Sequence, residues 1–209
     1  MGNIMAYRRY TEQKNLQLQQ LERSLVKLTN EANKQFQGMT FKDIYTSTYK
    51  NLAKWRQNYP NVERIVGVKV TPYFGAKSLL FSAEVMSRDR KRHYKVYVQF
   101  FDIDFSDTPK SGDYAMAIYK QKKFYFKKPS LFKNKCRIRC GCEDFRHRFA
   151  WENRKYQCLY GTVPKGYKRK TPPPPKGRPY VNPKHTPGMC YHIYDVVKAL
   201  ESKYVGVLQ

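Results

Sequence analysis

The chain has 209 residues, 41% of them hydrophobic, and a formal net charge of +25. That length suits one domain with additions or two small ones, and the apolar fraction is enough for an ordinary core, which excludes a disordered tail. The longest apolar runs are far too short to span a bilayer, so no transmembrane helix is expected.

Residues 11–36 read as a helix, with Leu18, Leu21, Leu25 and Leu28 at helical spacing on one narrow stripe. Such a stripe docks on its own domain or on a neighbouring subunit, and residues 1–39 are read as a helical arm. A second helix is predicted from Thr40, with Asp43 completing a variant capping box. Ile44, Thr48, Leu52 and Trp55 share its apolar face, and Asn58-Tyr59-Pro60 ends it.

Beyond Pro60 the period changes from helical to alternating. RIVGVKVTPY, SLLFSAEVMS, HYKVYVQFFDID, DYAMAIYK and KKFYFKK read as successive strands of one antiparallel meander. In the third, Val96, Val98 and Phe100 point one way and Lys95, Tyr97 and Gln99 the other, giving one packed and one wet face. Eighteen Tyr and twelve Phe fit such strands. The expected fold is α+β: N-terminal helices covering an antiparallel meander over residues 40–130, then a small zinc-stabilised module over residues 131–209.

From Lys120 to His192 there are twenty Lys and Arg against three acids, Glu143, Asp144 and Glu152. Charge this one-sided needs an anionic counter-surface: nucleic acid, an acidic protein face or an anionic membrane, and with no basic amphipathic helix in the sequence a membrane partner is not expected. Lys122, Lys123, Lys127, Lys128, Arg146, Arg148, Lys168, Arg169 and Lys170 are the candidate surface residues. Basic and aromatic residues interleave in KQKKFYFKK, which suits phosphate contact with ring stacking. The same pattern describes a strand with Phe124 and Phe126 inward and lysines in water, and the alternation favours that reading.

Residues 163–189 contain eight of the twelve prolines, four of them consecutive. This is an extended, polyproline-type loop: a spacer inside the metal module, an arm to an adjacent subunit, or a track for a phosphate backbone.

Two closely spaced ligand pairs flank that loop: Cys140 and Cys142 in CGC, and Cys190 and His192 in CYH. Thiolates and imidazole hold tetrahedral Zn²⁺, and a one-residue spacing lets each pair reach one ion from a single turn of backbone. RIRCGC reads as a strand entering a turn, and Ile193, Val196, Val197, Leu200 and Tyr204 recur at helical spacing behind His192. Phe145, Phe149 and Trp151 are expected to pack around the knuckle. The alternative is that the cysteines are small buried apolar side chains. The odd count of five argues against a disulfide framework. Cys136 and Cys158 are left without an assigned role.

The acids of FDIDFSD are the best enzymatic candidate, with Asp102 and Asp104 on one side of the strand and Asp107 in the turn. Carboxylates so placed can hold Mg²⁺ for phosphodiester cleavage. No Glu-x-Lys accompanies them on a following strand, and a P-loop and a dinucleotide fingerprint are both absent, so no enzymatic role is expected.

Cys-x-Cys followed by Cys-x-His resembles the SWIM-type zinc finger, in which the first pair lies on a β-hairpin and the second opens a helix. The interval here, forty-seven residues between Cys142 and Cys190, is longer than in the usual finger. A wider resemblance rests on CGCEDFRHRFA, PGMCYH and YVQFFDIDFSDTP, which look like segments of a group of tailed-bacteriophage virion proteins. It implies a structural component of capsid, neck or tail, made in the host cytoplasm and held by structural zinc. Its partners would be other virion subunits, itself included as a homo-oligomer, and packaged DNA. The alternatives are a free zinc-dependent nucleic-acid-binding regulator or processing factor and, third, a Mg²⁺-dependent nuclease.

Overall fold

A computed structural model describes residues 13–21, 23–24, 38–51, 60–110, 112–162, 182, 184–201 and 203–207. The chain divides into two compact units, residues 1–36 and 37–209. In the first, residues 13–21 and 23–24 are helical, and Leu16, Leu18 and Leu21 are exposed. Leu25 and Leu28 of the expected stripe lie outside the described residues.

The second unit opens with β1 (Met39–Thr40) and α1 (Phe41–Asn51). The capping box forms: Asp43 Oδ2 accepts from Thr40 N at 3.0 Å, and Thr40 Oγ1 accepts from Asp43 N at 3.1 Å. Two backbone donors that the first turn cannot satisfy are thereby paired. Ile44 and Thr48 fall on the buried face as the periodicity requires. Leu52 and Trp55 lie outside the described residues.

A short 3-10 turn (Val62–Arg64) leads into β2 (Ile65–Tyr73), β3 (Ser78–Met86) and β4 (His93–Phe100), each antiparallel to the next. Next come β5 (Phe105–Ser106), β6 (Tyr114–Tyr119), β7 (Lys122–Lys127) and β8 (Lys135–Cys140). The helices α2 (Glu143–Arg148), α3 (Ala150–Lys155) and α4 (Tyr191–Leu200) complete the unit. The architecture is α+β with antiparallel sheets.

The strands do not make the single meander expected. They split into a five-stranded sheet of order β1-β8-β4-β3-β2 and a three-stranded sheet of order β5-β7-β6. The expected third strand stops at Phe100, because the chain then turns through Asp102 at φ 58°. Asn134 Nδ2 fixes the turn by donating to Phe101 O at 2.7 Å. β8, assigned from sequence to the metal module, takes the place beside β4. Alternation identifies a strand but not its neighbour, and the pairing partner here lies more than thirty residues downstream.

Val96, Val98 and Phe100 are fully buried, while Lys95 is exposed and Tyr97 and Gln99 are half-buried, so the two-faced reading of β4 holds. Helix α4 buries Ile193, Val196, Val197 and Leu200 in the same core, each worth roughly 1.5–3 kcal/mol. Its Asp195 forms a buried ion pair with Arg64 and accepts from Asn61 N at 2.9 Å, tying α4 to the 3-10 turn. No helix among the described residues is long and apolar enough to cross a membrane.

Candidate metal centre

Cys140 ends β8, and two residues later Cys142 sits at the N-cap of α2. Cys142 Sγ accepts from Phe145 N at 3.4 Å, occupying the place a Ser or Asp oxygen takes at most N-caps. Cys142 N in turn donates to Cys140 Sγ at 3.4 Å. Cys190 is the N-cap of α4, and His192 lies in that helix's first turn. Each ligand pair is thus delivered to the start of a helix, where free N–H groups and the positive dipole end favour a thiolate.

The four side chains converge. One donor atom from each of Cys140, Cys142, Cys190 and His192 lies within 4.8 Å of all the others. His192 Nδ1 stands 3.8 Å from Cys140 Sγ and 3.9 Å from Cys190 Sγ. A tetrahedral site with metal–sulfur bonds of about 2.3 Å has edges of about 3.8 Å, so the arrangement needs little adjustment to close on an ion such as zinc. The three cysteines are buried and His192 is half-buried, its ring 4.9 Å from that of Tyr94. Burial holds the Cys140 and Cys190 thiols above their usual range. Hydrogen bonds from Cys140, then Cys190, pull Cys142 far below it. A cation bound here would displace the remaining thiol protons.

No family model, curated protein or solved structure matches this chain. Its chemistry therefore rests on the donor set itself. Three sulfurs and one imidazole nitrogen suit zinc, and four protein donors make a closed site.

Residues that the sequence reading missed hold this centre in place. Asn153 bonds both backbone groups of Gly188, and Thr48 Oγ1 accepts from Met189 N at 3.0 Å. Asn182 Nδ2 donates to Arg148 O at 3.1 Å and to Thr186 O at 2.7 Å. All three side chains are buried and polar, and together they clamp the segment that ends in Cys190 onto α1, the end of α2 and α3. One local signal existed: Asn within a helix is a poor former and needs a tertiary reason to be there.

Phe145 and Phe149 are buried with ring centroids 6.4 Å apart, as expected around the knuckle. Trp151 is not. It is 55% exposed on the outer side of α3, where Arg154 lies over its ring. The helix turns Phe149 and Ala150 inward, which points Trp151 away. Cys136 and Cys158 are buried in the core, and burial raises both thiols, Cys158 to about 12. Neither joins the ligand cluster.

On β7, Phe124 and Phe126 are core residues, Lys122, Lys123 and Lys127 are exposed and Tyr125 is half-buried, so the phenylalanine rings of this segment are not offered to a partner. Lys128 is half-buried, Arg146 is exposed, and Arg148 pairs with Asp144 at 3.2 Å. Lys168, Arg169 and Lys170 lie outside the described residues. The acids of FDIDFSD leave the strand early, and Asp104 hydrogen-bonds Tyr114. Among the described residues they form no metal-binding group.

Proposed function

We propose that this chain is a non-enzymatic structural protein of a tailed-bacteriophage virion, in capsid, neck or tail. One zinc ion on Cys140, Cys142, Cys190 and His192 keeps its C-terminal part folded. The donor count carries the structural role: four protein ligands fill a tetrahedral ion and leave no position for water or substrate. The virion assignment is supported by the CGCEDFRHRFA and PGMCYH segments. The net charge of +25 supports a surface set against packaged DNA or acidic subunits. Lys122, Lys123, Lys127 and Arg146 are exposed, which supports this reading.

A second reading, a free zinc-dependent nucleic-acid-binding regulator or processing factor, is favoured by the same exposed cations. Mass spectrometry of nuclease-treated particles, purified on a density gradient, separates the two. Recovery at a fixed copy number per particle supports the virion protein, and presence in infected-cell lysate alone selects the regulator. Elemental analysis across a light-scattering peak should find one tightly held zinc per chain. A folded protein without metal would reduce the cluster to buried cysteines.

A further inference from the structure

Strand register divides the five-stranded sheet into two faces. Val70, Phe81, Ala83, Val96, Val98 and Ile138 face the core. The pairs Lys69↔Ser82, Ser82↔Tyr97 and Tyr97↔Arg139 lie on the opposite face, with Glu84↔Lys95, Gln99↔Arg137 and Thr40↔Lys135 beside them. Lys69 and Lys95 are exposed, and Lys135, Arg137 and Arg139 are half-buried. The one acid among these positions, Glu84, is already engaged with His93 Nδ1 at 2.9 Å.

Three tyrosines sit among these cations. Tyr97 stacks on Tyr160, with centroids 5.1 Å apart and planes 22° from parallel, and Tyr73 lies beside Tyr160, where after burial it helps hold that hydroxyl above its usual range. Arg139 Nη1 holds this stack in place by donating to Tyr160 O at 3.2 Å and Thr162 O at 2.7 Å. At Gly161, φ is +72° and a Cβ would stand 3.1 Å from that nitrogen, so glycine lets the loop close over Arg139 without backbone strain or displacement of the guanidinium. Alongside lies an open cavity of about 650 Å³ lined by Arg137, Arg154, Gln157, Leu159, Gly161 and Thr162.

We propose that this face binds single-stranded nucleic acid, its bases on the tyrosine rings and a phosphate in the cavity between Arg137 and Arg154. The excess of cations requires an anionic occupant. Rings and cations together select one with exposed π-faces and regularly spaced charge. A duplex hides its bases within the stack, and an acidic peptide would use the cations and leave the rings idle. The proposal rests on the reading of the basic surface as set against an anionic partner, and goes beyond it by giving that surface a place and its partner a chemistry.

The test is fluorescence anisotropy of the full zinc-loaded chain with a labelled single strand of about 20 nucleotides, the corresponding duplex, and a polyglutamate peptide. The single strand should bind tightest. Tyr97→Ala and Arg154→Glu should each weaken it roughly tenfold, Tyr97→Trp should retain it, and zinc content should not change. Arg154 is exposed on α3, so its variant reports on the face even if Tyr97→Ala fails to fold. Equal affinity of the unaltered chain and both variants would overturn the proposal, as would preference for duplex or for polyglutamate. Particle association is read separately, so this face and the virion assignment can fail independently.

Discussion

Asn153 grips Gly188 with both edges of its amide: Oδ1 accepts from Gly188 N at 2.8 Å, and Nδ2 donates to Gly188 O at 2.9 Å. A Cβ at Gly188 would stand 2.5 Å from the Phe149 ring, so the approach exists because that position has no side chain. The contact delivers Met189 and Cys190 to the start of α4.

Removing the clamp should therefore loosen the metal. Asn153→Ala strands two buried backbone groups, an expected loss of about 2–4 kcal/mol read by urea denaturation. Zinc should pass to a chromogenic chelator faster than from the unaltered protein. An unchanged midpoint and release rate would mean that the segment is held by other contacts.

Ligand and non-ligand cysteines should separate cleanly. Cys142→Ser is expected to lose zinc and cooperative unfolding together, since structural zinc contributes folding free energy directly. Cys158→Ser should keep one zinc per chain while losing only the stability due to a changed core side chain. Equal metal content in the two variants would show that the ligands are misassigned.

Alkaline conditions should weaken the fold. Burial raises Cys158 from 9.0 to about 12 and Tyr194 from 10.0 to about 12, and it raises Cys136 and Tyr160 as well. These groups keep their protons in the folded chain at pH values where the unfolded chain releases them. Their contribution is complete below the unfolded values and is lost as pH rises through the folded ones, from about 9 toward about 12. Urea midpoints of the zinc-saturated protein should fall between pH about 8 and about 10, and Cys158→Val should flatten the decline. A midpoint that rises over this interval would contradict the assignment.

Arg64 and Asp195 are expected to be coupled. Either single change, Arg64→Met or Asp195→Asn, leaves the partner without its counter-ion in the core, at a cost of about 3–5 kcal/mol. The double variant should lose less than the sum. Strict additivity in denaturation midpoints would show that the pair contributes nothing as a pair.

Much of this was legible because it is local. The Thr40 and Asp43 cap, the alternation in β4 and the two ligand pairs each lie within a few residues, where backbone geometry alone relates sequence to position. Sheet partition was not legible, because β8 and β4 share a hydrophobic pattern with every other strand and no residue marks them as neighbours. Asn153, Asn182 and Thr48 gave little sign of their roles, since each bonds backbone made available only by the tertiary fold. Trp151 misled because a large aromatic beside a metal motif suggests burial, while the inward turn of α3 was already filled by Phe149 and Ala150.

Strand β8 alternates Cys136, Ile138 and Cys140 inward with Arg137 and Arg139 outward. One residue inserted or deleted within it reverses the facing of the positions on one side of the change, turning guanidinium groups toward the core and thiols toward water there. A substitution on the outward face can be absorbed singly, whereas a change in the length of this stretch disturbs both faces at once. The spacing from Cys136 to Cys140 is therefore under a stricter constraint than the identity of any residue between them.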